Sequence, residues 1–420
     1  MDTPLREFFL LFKRRAYQTG CQLQPAPVSS ENIRTMNKKN EEFLIVAASC
    51  RAMVRSVSQA GYRCRGIDLF ADWDAQQICE VQQVSSFEAA VRTATNLPDR
   101  LRTLIGAGVE NALAGREDPF CGRPVYAPLG QALANLSDPF FVAGELQAAD
   151  FSTLPISRQC PATGAWLEKP FHSGGGQGVR RIGTAAFSAG PKPDAKQVYY
   201  QQYVPGVVCG ASFVAAQGTC ELMGVCRHIP STSATHPFLY SGSYGPFALN
   251  PEIERQVCGM ARVLANACGL QGWFGIDFIE REGVAWLLEV NPRYTASMEI
   301  LERISEQSLF HYHLNAFEPF NPIEFSLPRG KTLLGKQYVY WESKNPVVVQ
   351  ADAHRQLAQL SKSAEQFVTD IPWPGTSIET AMPICTVWAT AGTEAAVLEE
   401  LVLAKAAVLK LLRQKKTAEK

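Results

Sequence analysis

The sequence predicts a mixed α/β and α+β fold built from three successive units, and three observations support this prediction. A strand–helix–strand pattern begins near residue 43, as in a doubly wound sheet. The middle of the chain is rich in β-branched and aromatic residues, punctuated by glycine and interrupted by one well-marked helix. From about residue 330, short strand patterns precede a long helical one. A length of 420 residues accommodates about three domains.

The first unit, residues 41–145, is predicted to be a Rossmann-like α/β domain. Residues 43–48 form a continuous apolar run, as expected for a buried parallel strand. A helix should follow from Arg51 to Ala60, because Gly61 occupies the position at which helices end in a left-handed conformation. A second strand is expected over residues 63–68. No Gly-x-Gly-x-x-Gly follows the first strand, so a dinucleotide site is not predicted.

The second unit, residues 146–320, contains the best-defined helix. Asn250 is a suitable N-cap, Pro251 fits the first helical position, and Gly269 ends the helix. The third unit, residues 321–420, is predicted to be β-rich, with strands over 337–341, 347–350 and 384–389 and a final helix over 394–412. Residues 1–40 show no apolar periodicity and are rich in turn-forming residues, which predicts a flexible extension.

Composition excludes several classes of protein. Forty Lys+Arg residues balance forty Asp+Glu residues, so bulk positive charge for nucleic-acid binding is absent. The apolar runs are strand-sized, far below the ~20 residues of a membrane span. Basic residues flank Phe8–Phe12 closely and no small-residue cleavage site follows, which argues against a signal peptide. The 12 cysteines form no Cys-x-x-Cys pair, so we expect a cytoplasmic protein with reduced cysteines.

The strongest chemical signal is a predicted hairpin over residues 275–293. Asp277 is on its first strand, and Glu289 and Asn291 are two positions apart on the second, so they share one face. If residues 282–284 form a three-residue loop, Asp277 lies opposite Glu289. Two carboxylates and an amide oxygen on one face suit Mg²⁺. The alternative is that Glu289 ends a surface strand before an ordinary Asn-Pro turn.

Two further segments suggest phosphate and heterocycle binding. Lys169 ends a predicted strand, and the loop after it contains Gly174, Gly175, Gly176 and Gly178. Glycines let backbone N–H groups approach phosphate, and lysine supplies a point charge. A flexible hairpin tip is the alternative, with His172 as an ordinary loop residue. Residues 199–206 are a polar-aromatic strand entering Pro-Gly; they could present hydrogen-bonding groups to a flat heterocycle or could simply end a strand.

In this order and spacing, the three segments resemble the ATP-grasp superfamily. The resemblance covers roughly residues 43–315, and its most specific element is Asp277 followed by Glu289-Val290-Asn291-Pro292-Arg293. Residues 238–246 and 370–387 are similar to a subgroup of predicted carboligases related to biotin carboxylase, whose relatives include glutamate ligases of methanofuran-type cofactor synthesis. The resemblance implies an ATP-grasp fold with an N-terminal Rossmann-like pre-grasp domain and a C-terminal β-rich module.

The resemblance also implies a role for each matching residue. Those assigned to ATP are a phosphate-contacting lysine, a glycine flap and an adenine-facing hinge: Lys169, Gly174, Gly175, Gly176, Gly178, Gln202, Tyr203 and Val204. Those assigned to one or two magnesium ions, or to manganese, are Asp277, Glu289 and Asn291. Arg293 and Arg227 would stabilise the transferred phosphoryl group. The chain departs from the pattern at the hinge, where Gln201 and Gln202 replace an acidic residue, and upstream, where Arg158 is our choice for a missing lysine.

The implied function is an ATP-dependent carboxylate–amine ligase acting through an acylphosphate. The finer expectation is that it adds an amino acid such as glutamate to a one-carbon cofactor precursor. Two alternatives stay open: a carboxylase using carboxyphosphate, and a non-catalytic ATP-binding scaffold or regulatory protein. The expected partners are small-molecule carboxylate and amine substrates, without nucleic acid or membrane; a homodimer is left open.

Overall fold

The structure is a computed structural model that describes residues 41–98, 100–182, 197–318, 325–328, 330, 332–362 and 367–413. The extension predicted for residues 1–40 lies outside these ranges. Within them, no helix combines the length and the apolar character that a membrane crossing requires.

The first unit is a parallel α/β layer, as predicted. Its strands are β1 (Glu42–Val46), β2 (Arg63–Asp68), β3 (Val81–Gln83) and β4 (Arg102–Ile105), in the order β3-β2-β1-β4. Its helices are α1 (Arg51–Gln59), α2 (Trp73–Gln76), α3 (Phe87–Thr95), α4 (Val109–Leu113), α5 (Gly130–Ser137) and α6 (Pro139–Ala148). The last of these runs across the unit boundary predicted at residue 145. The apolar run of β1 is fully buried because helices cover it, as expected for a parallel sheet.

A small antiparallel sheet follows and forms one wall of the site. Its strands are β5 (Ile156–Ser157), β6 (Trp166–Pro170), β7 (Arg180–Arg181) and β8 (Val198–Gln202), in the order β5-β8-β6-β7. The central pair, β6 and β8, places Lys169 opposite Tyr199. Lys169 therefore projects from the middle of this sheet.

A large antiparallel sheet joins the second and third units. Its strands are β9 (Val208–Ala216), β10 (Thr219–His228), β11 (Gly242–Gly245), β12 (Gly272–Arg281), β13 (Val284–Asn291), β14 (Leu333–Tyr340), β16 (Val368–Thr369) and β18 (Pro383–Ala391), in the order β13-β12-β9-β10-β11-β14-β18-β16. Because β11 pairs with β14, the C-terminal strands extend the sheet of the second unit. The two remaining short strands, β15 (Val347–Val348) and β17 (Ser377–Ile378), pair with each other.

The helices of this half cover the two faces of the large sheet. They are α7 (Pro251–Cys268), α8 (Ala296–Ser305), α9 (Phe310–Phe317), α10 (Ala351–Ser361) and α11 (Glu394–Arg413). The apolar stripe of α7 packs on the face that includes Phe213, Ile276 and Phe278, which we call the helix face. The opposite face includes Gly210 and Asp277, and we call it the cleft face. α8 and α9 pack on this face, in the apolar cluster that includes Trp273.

The predicted hairpin is present, but its loop is shorter than predicted. Arg281 pairs with Val284, which leaves the two-residue loop Glu282-Gly283 where three residues were expected. A β-bulge next to Phe278 then shifts the register by one residue, so that Asp277 still lies opposite Glu289. The predicted pairing of the two carboxylates is therefore confirmed through a different register.

Candidate active site

A cleft separates the small sheet from the edge strand β13 and from the first unit. Its space is about 950 Å³, including its open mouth. Residues from all of these walls line it, among them Glu110, Asn111, Lys169, Gly174, Gln201, Glu289, Asn291 and Arg293. The fold thus brings the predicted lysine, the glycine loop and the acidic hairpin to one place.

The acidic hairpin contributes an arrangement of two carboxylates around one amide. The Asn291 Nδ2 lies 3.2 Å from the Asp277 Oδ2 and 3.4 Å from the Glu289 Oε1. Its Oδ1 accepts a hydrogen bond from the Arg293 Nη2 at 2.8 Å. The amide oxygen predicted to face a metal therefore points to Arg293, and the amide nitrogen bridges the carboxylates. A cation between the carboxylates would require the amide to turn over.

Electrostatics distinguish the two carboxylates. Burial raises the pKa of Asp277 well above its usual value, and the neighbouring Glu289 raises it further. Burial would also raise the pKa of Glu289, but Lys169, Asp277 and Arg293 hold it below its usual value. Ionising both neighbouring groups is unfavourable unless positive charge lies beside them. The pair is therefore suited to a cation.

Lys169 spans the cleft from the small sheet to β13. Its Nζ donates to the Gln201 Oε1 at 3.2 Å and to the Leu288 carbonyl oxygen at 3.4 Å. Burial would lower the pKa of Lys169, but Tyr199, Glu289 and Asp277 raise it overall. The lysine therefore stays charged at the end of the cleft next to the carboxylate pair.

The glycine loop packs against a segment of the second unit. The Tyr240 N–H donates to the Gly175 carbonyl oxygen at 2.8 Å, and a Cβ at Gly176 would lie 1.8 Å from the Phe238 carbonyl oxygen. Gly175, Gly176 and Gly178 all have positive φ, which other residues rarely adopt, whereas Gly174 does not. The backbone conformation and the close contact explain why this loop requires glycine.

The predicted hinge enters the cleft one residue earlier than expected. Gln201 is buried and contacts Lys169, whereas the side chain of Gln202 is exposed. The Tyr203 N–H donates to the Ala165 carbonyl oxygen at 2.9 Å, so it is already engaged. Val204 follows directly, and it is half-buried. The Gln202 N–H is likewise engaged, because it donates to the Pro155 carbonyl oxygen at 2.9 Å.

Arg293 is fixed at the inner end of the cleft by three partners. Its Nε donates to the Glu110 Oε1 at 2.8 Å, its Nη1 to the Tyr294 carbonyl oxygen at 3.2 Å, and its Nη2 to Asn291. Glu110 belongs to α4 of the first unit. This ion pair therefore joins the first unit to the end of the acidic hairpin.

Arg227 does not belong to this cluster. It pairs with Cys209, and Asp277 pairs with Gly210, so the two side chains are on opposite faces of the large sheet. The Arg227 Nη1 donates to the Glu394 Oε2 at 2.7 Å. The role predicted for Arg227 at the phosphoryl group is incompatible with this position. Arg158, predicted as a phosphate-contacting cation, lies over the ring of Phe140 at 4.1 Å and is largely exposed.

His228, next to Arg227, is a site residue that sequence reasoning missed. Its Nε2 lies 3.5 Å from the Asp277 Oδ1. Burial lowers the pKa of His228 to about 4, although Glu289 partly opposes this effect, so the ring is neutral at pH 7. The absence of a side chain at Gly210 leaves room for this contact, because a Cβ there would lie 3.0 Å from the His228 Nε2 and 3.1 Å from the Asp277 Oδ1.

Comparisons with known proteins identify a family domain in this chain and solved structures that resemble its fold. The model of the ATP-grasp domain matches residues 137–297. The chain is 28% identical over 90 residues to the carbamoyl phosphate synthase large chain of Neisseria gonorrhoeae, a match that covers 20% of this chain and 8% of that protein. It is 30% identical over 90 residues to the formate-dependent phosphoribosylglycinamide formyltransferase of Methylococcus capsulatus, over 21% of this chain and 22% of that protein. The chain thus spans less than a quarter of the length of either relative.

Similar solved structures extend over most of the chain. The L-amino acid ligase from Bacillus licheniformis has a TM-score of 0.65 at 14% identity, over 88% of this chain and 98% of that one. Biotin carboxylase from Campylobacter jejuni has a TM-score of 0.62 at 14% identity, over 88% and 95%. At such identities these structures establish the fold. The family match adds that residues 137–297 of this chain contain an ATP-grasp domain.

Proposed function

We propose that the protein is an ATP- and Mg²⁺-dependent carboxylate–amine ligase that works through an acylphosphate. The observation that supports this most directly is that Lys169, Glu289 and Arg293 line one cleft, with Asp277 paired to Glu289. These are groups that bind phosphate and a hard cation. Phosphoryl transfer depends mainly on positioning and charge neutralisation, which such a set supplies.

In this proposal the nucleotide lies between the small sheet and β13. Lys169 binds its phosphates as a point charge, and the loop from Gly174 to Gly178 covers them with backbone N–H groups. Adenine contacts the hinge through the Gln201 side chain and the backbone of Gln202, Tyr203 and Val204. The amide of Gln201 both donates and accepts, so this hinge lacks the fixed negative charge of an acidic residue.

The residues of the hairpin fit Mg²⁺. Asp277 and Glu289 supply two carboxylates, and Asn291 supplies an amide oxygen once it turns from Arg293. No cluster of three His, Cys, Asp or Glu side chains in the described ranges is arranged as a metal site. Two carboxylates with phosphate oxygens and waters are the usual surroundings of Mg²⁺. When bound, the ion neutralises the charge that develops on the phosphates.

The protein's own groups then direct the reaction. Arg293 keeps its hydrogen bonds to Glu110 and to the Tyr294 carbonyl oxygen when Asn291 turns, so its guanidinium can stabilise the phosphoryl group as it passes to the substrate carboxylate. The glycine loop must exclude water, because water would hydrolyse the acylphosphate. The amine then attacks the acyl carbon and phosphate leaves.

The solved structures also support a second candidate, carboxylation through carboxyphosphate. One similar structure is the ADP complex of N5-carboxyaminoimidazole ribonucleotide synthetase, with a TM-score of 0.64 at 14% identity, over 90% of this chain and 98% of that one. The names of this synthetase and of biotin carboxylase denote carboxylation chemistry, whereas the name of the L-amino acid ligase denotes an amino acid substrate. A non-catalytic scaffold is a weaker candidate, because the carboxylate pair and Lys169 are all present.

The finer assignment, addition of an amino acid such as glutamate to a one-carbon cofactor precursor, rests on the family resemblance alone. The cleft has the charge for ATP and acids, but nothing in its lining selects one acid.

ADP release tests the proposal. The full chain is incubated with ATP, Mg²⁺ and each of the twenty amino acids, with and without bicarbonate or hydroxylamine. We expect ADP and a hydroxamate with at least one acid, and loss of both in Glu289→Gln by at least a hundredfold. Glu280→Gln, on the exposed face of the same hairpin, is the matched control. Bicarbonate-dependent ADP without a hydroxamate would favour carboxylation, and ATP binding without ADP would favour the scaffold.

A further inference from the structure

Glu110 reaches the cleft from the first unit, and among the described residues of that unit it is the only acidic one in the lining. Glu110 belongs to α4, which begins directly after Gly108. Gly108 has a φ of 90° and lies in the turn that leads from β4 into this helix. The Glu110 Oε1 accepts from the Arg293 Nε at 2.8 Å. Only 9% of the side chain is exposed. The sequence motifs gave no reason to single out this residue.

The second oxygen of this carboxylate lacks a partner. The Glu110 Oε2 is buried and accepts no hydrogen bond from any described residue. A buried carboxylate oxygen without a donor is costly, and native proteins seldom leave one. Because a carboxylate only accepts, the missing partner must be a donor.

Neighbouring cations do not supply this donor. Three of the five N–H groups of Arg293 donate to Glu110 Oε1, Tyr294 and Asn291, the Lys169 Nζ donates to Gln201 and Leu288, and none of these donates to the Glu110 Oε2. Besides water, a ligand that enters the cleft can supply this donor. Of the groups the ligase must bind, phosphate and the acid are anionic and would be repelled. The amine is the cationic one and has N–H groups to donate.

We propose that Glu110 binds the amine substrate as an ammonium ion and acts as its general base. The inference rests on the proposed ligase function and specifies that the amine substrate binds as a cation. Glu110 takes one proton from the ammonium, and the freed nitrogen lone pair forms the C–N bond to the acyl carbon. The C–O bond to phosphate breaks with its electron pair on the phosphate, which takes the second nitrogen proton.

Hydroxylamine and methylamine separate this role from mere support of Arg293. Methylamine is protonated at neutral pH and needs a base, whereas hydroxylamine is largely unprotonated and does not. The rates with both amines are measured on the full chain with ATP, Mg²⁺ and the acid that forms a hydroxamate. The variants are Glu110→Gln, whose amide oxygen can still accept from Arg293, and Glu110→Asp, which keeps a shorter base. Glu394→Gln is the matched control, because it removes a similar Arg–Glu pair outside the cleft.

We expect Glu110→Gln to slow amide formation with methylamine by 10²–10⁴-fold, in line with general-base catalysis, and hydroxamate formation by less than about tenfold. Glu110→Asp should retain more activity with methylamine than Glu110→Gln does, and Glu394→Gln should change neither rate. Equal losses with both amines would overturn the proposal and leave Glu110 a positioning residue for Arg293. Unchanged rates would overturn it as well. If the wild-type chain forms no hydroxamate with any acid, the ligase function itself fails; melting curves of the variants identify a folding defect.

Discussion

Replacement of Lys169 by methionine should weaken nucleotide binding without loss of the fold. Methionine keeps most of the apolar stem and removes the Nζ, which lies 3.2 Å from Gln201 and 3.4 Å from the Leu288 carbonyl. The stem is enclosed between the two sheets, so its packing should survive. The lost group is a cation. Burial would lower its pKa, but Tyr199, Glu289 and Asp277 raise that pKa overall.

The size of the effect follows from one charge-assisted contact. A hydrogen bond to a charged group contributes about 1.5–3 kcal/mol. Since each 1.4 kcal/mol is tenfold in affinity, the dissociation constant for ADP should rise by roughly 10- to 150-fold. Lys169→Met also removes the free-energy cost of burying a charge, so the stability of the variant should fall little.

Isothermal titration with ADP and Mg²⁺ measures the change directly. Lys405→Met is the matched control, because that lysine donates to Glu342 at 3.3 Å away from the cleft. The control should bind ADP like the wild type. An affinity within threefold of wild type for Lys169→Met would refute the placement of the nucleotide phosphates beside this lysine.

Three further predictions concern the flap and the buried interior. Gly176→Ala should reduce ADP formation at least tenfold, because the Cβ would clash with Phe238 at positive φ, whereas Gly174→Ala in open space should not; equal rates would contradict this. Glu299→Gln should lower the free energy of unfolding in urea by about 3–5 kcal/mol, since its buried carboxylate neutralises several cations; a loss below 1 kcal/mol would be inconsistent. Burial raises the pKa of Glu302 from 4.5 to about 7, so stability should fall as pH rises from 4.5 to 7. The melting temperature of Glu302→Gln should depend less on pH in that range than that of the wild type.

Helices and strands whose ends are marked by neighbouring residues were predictable from the sequence. The strand at residues 63–68 has its predicted bounds, and α7 begins and ends where its caps indicated. The Asn250 side chain accepts from the Glu252 N–H at 2.9 Å, and Gly269 has a φ of 59°. These signals depend on adjacent residues only, which is why a single sequence contains them.

Which residue of a strand faces the site was harder to predict. A bulge between Leu222 and Gly224 resets the alternation of β10, and it places His228 in the cleft and Arg227 on the helix face. At the hinge, neighbouring residues of the strand point to opposite faces, so a shift of one position decides whether the side chain of Gln201 or that of Gln202 faces the cleft. Bulges and strand ends depend on packing against other strands, so no spacing rule along one strand fixes them.

Contacts between distant segments were beyond the sequence patterns altogether. Glu110 meets Arg293 across 183 positions of the chain. The pairing of β11 with β14, which makes the C-terminal strands part of the large sheet, is likewise non-local. The acidic hairpin was predictable because both of its strands are contiguous in sequence.

The dependence of ATP affinity on Mg²⁺ tests the central claim most directly, namely that Asp277 and Glu289 hold the metal that binds the nucleotide beside Lys169. Titration of the full chain with ATP is carried out with Mg²⁺ and again with a chelator, for the wild type and for Glu289→Gln. We predict at least tenfold tighter binding with Mg²⁺ in the wild type and no such difference in the variant. Equal affinities with and without Mg²⁺ in the wild type, or an unchanged Mg²⁺ effect in Glu289→Gln, would contradict the account.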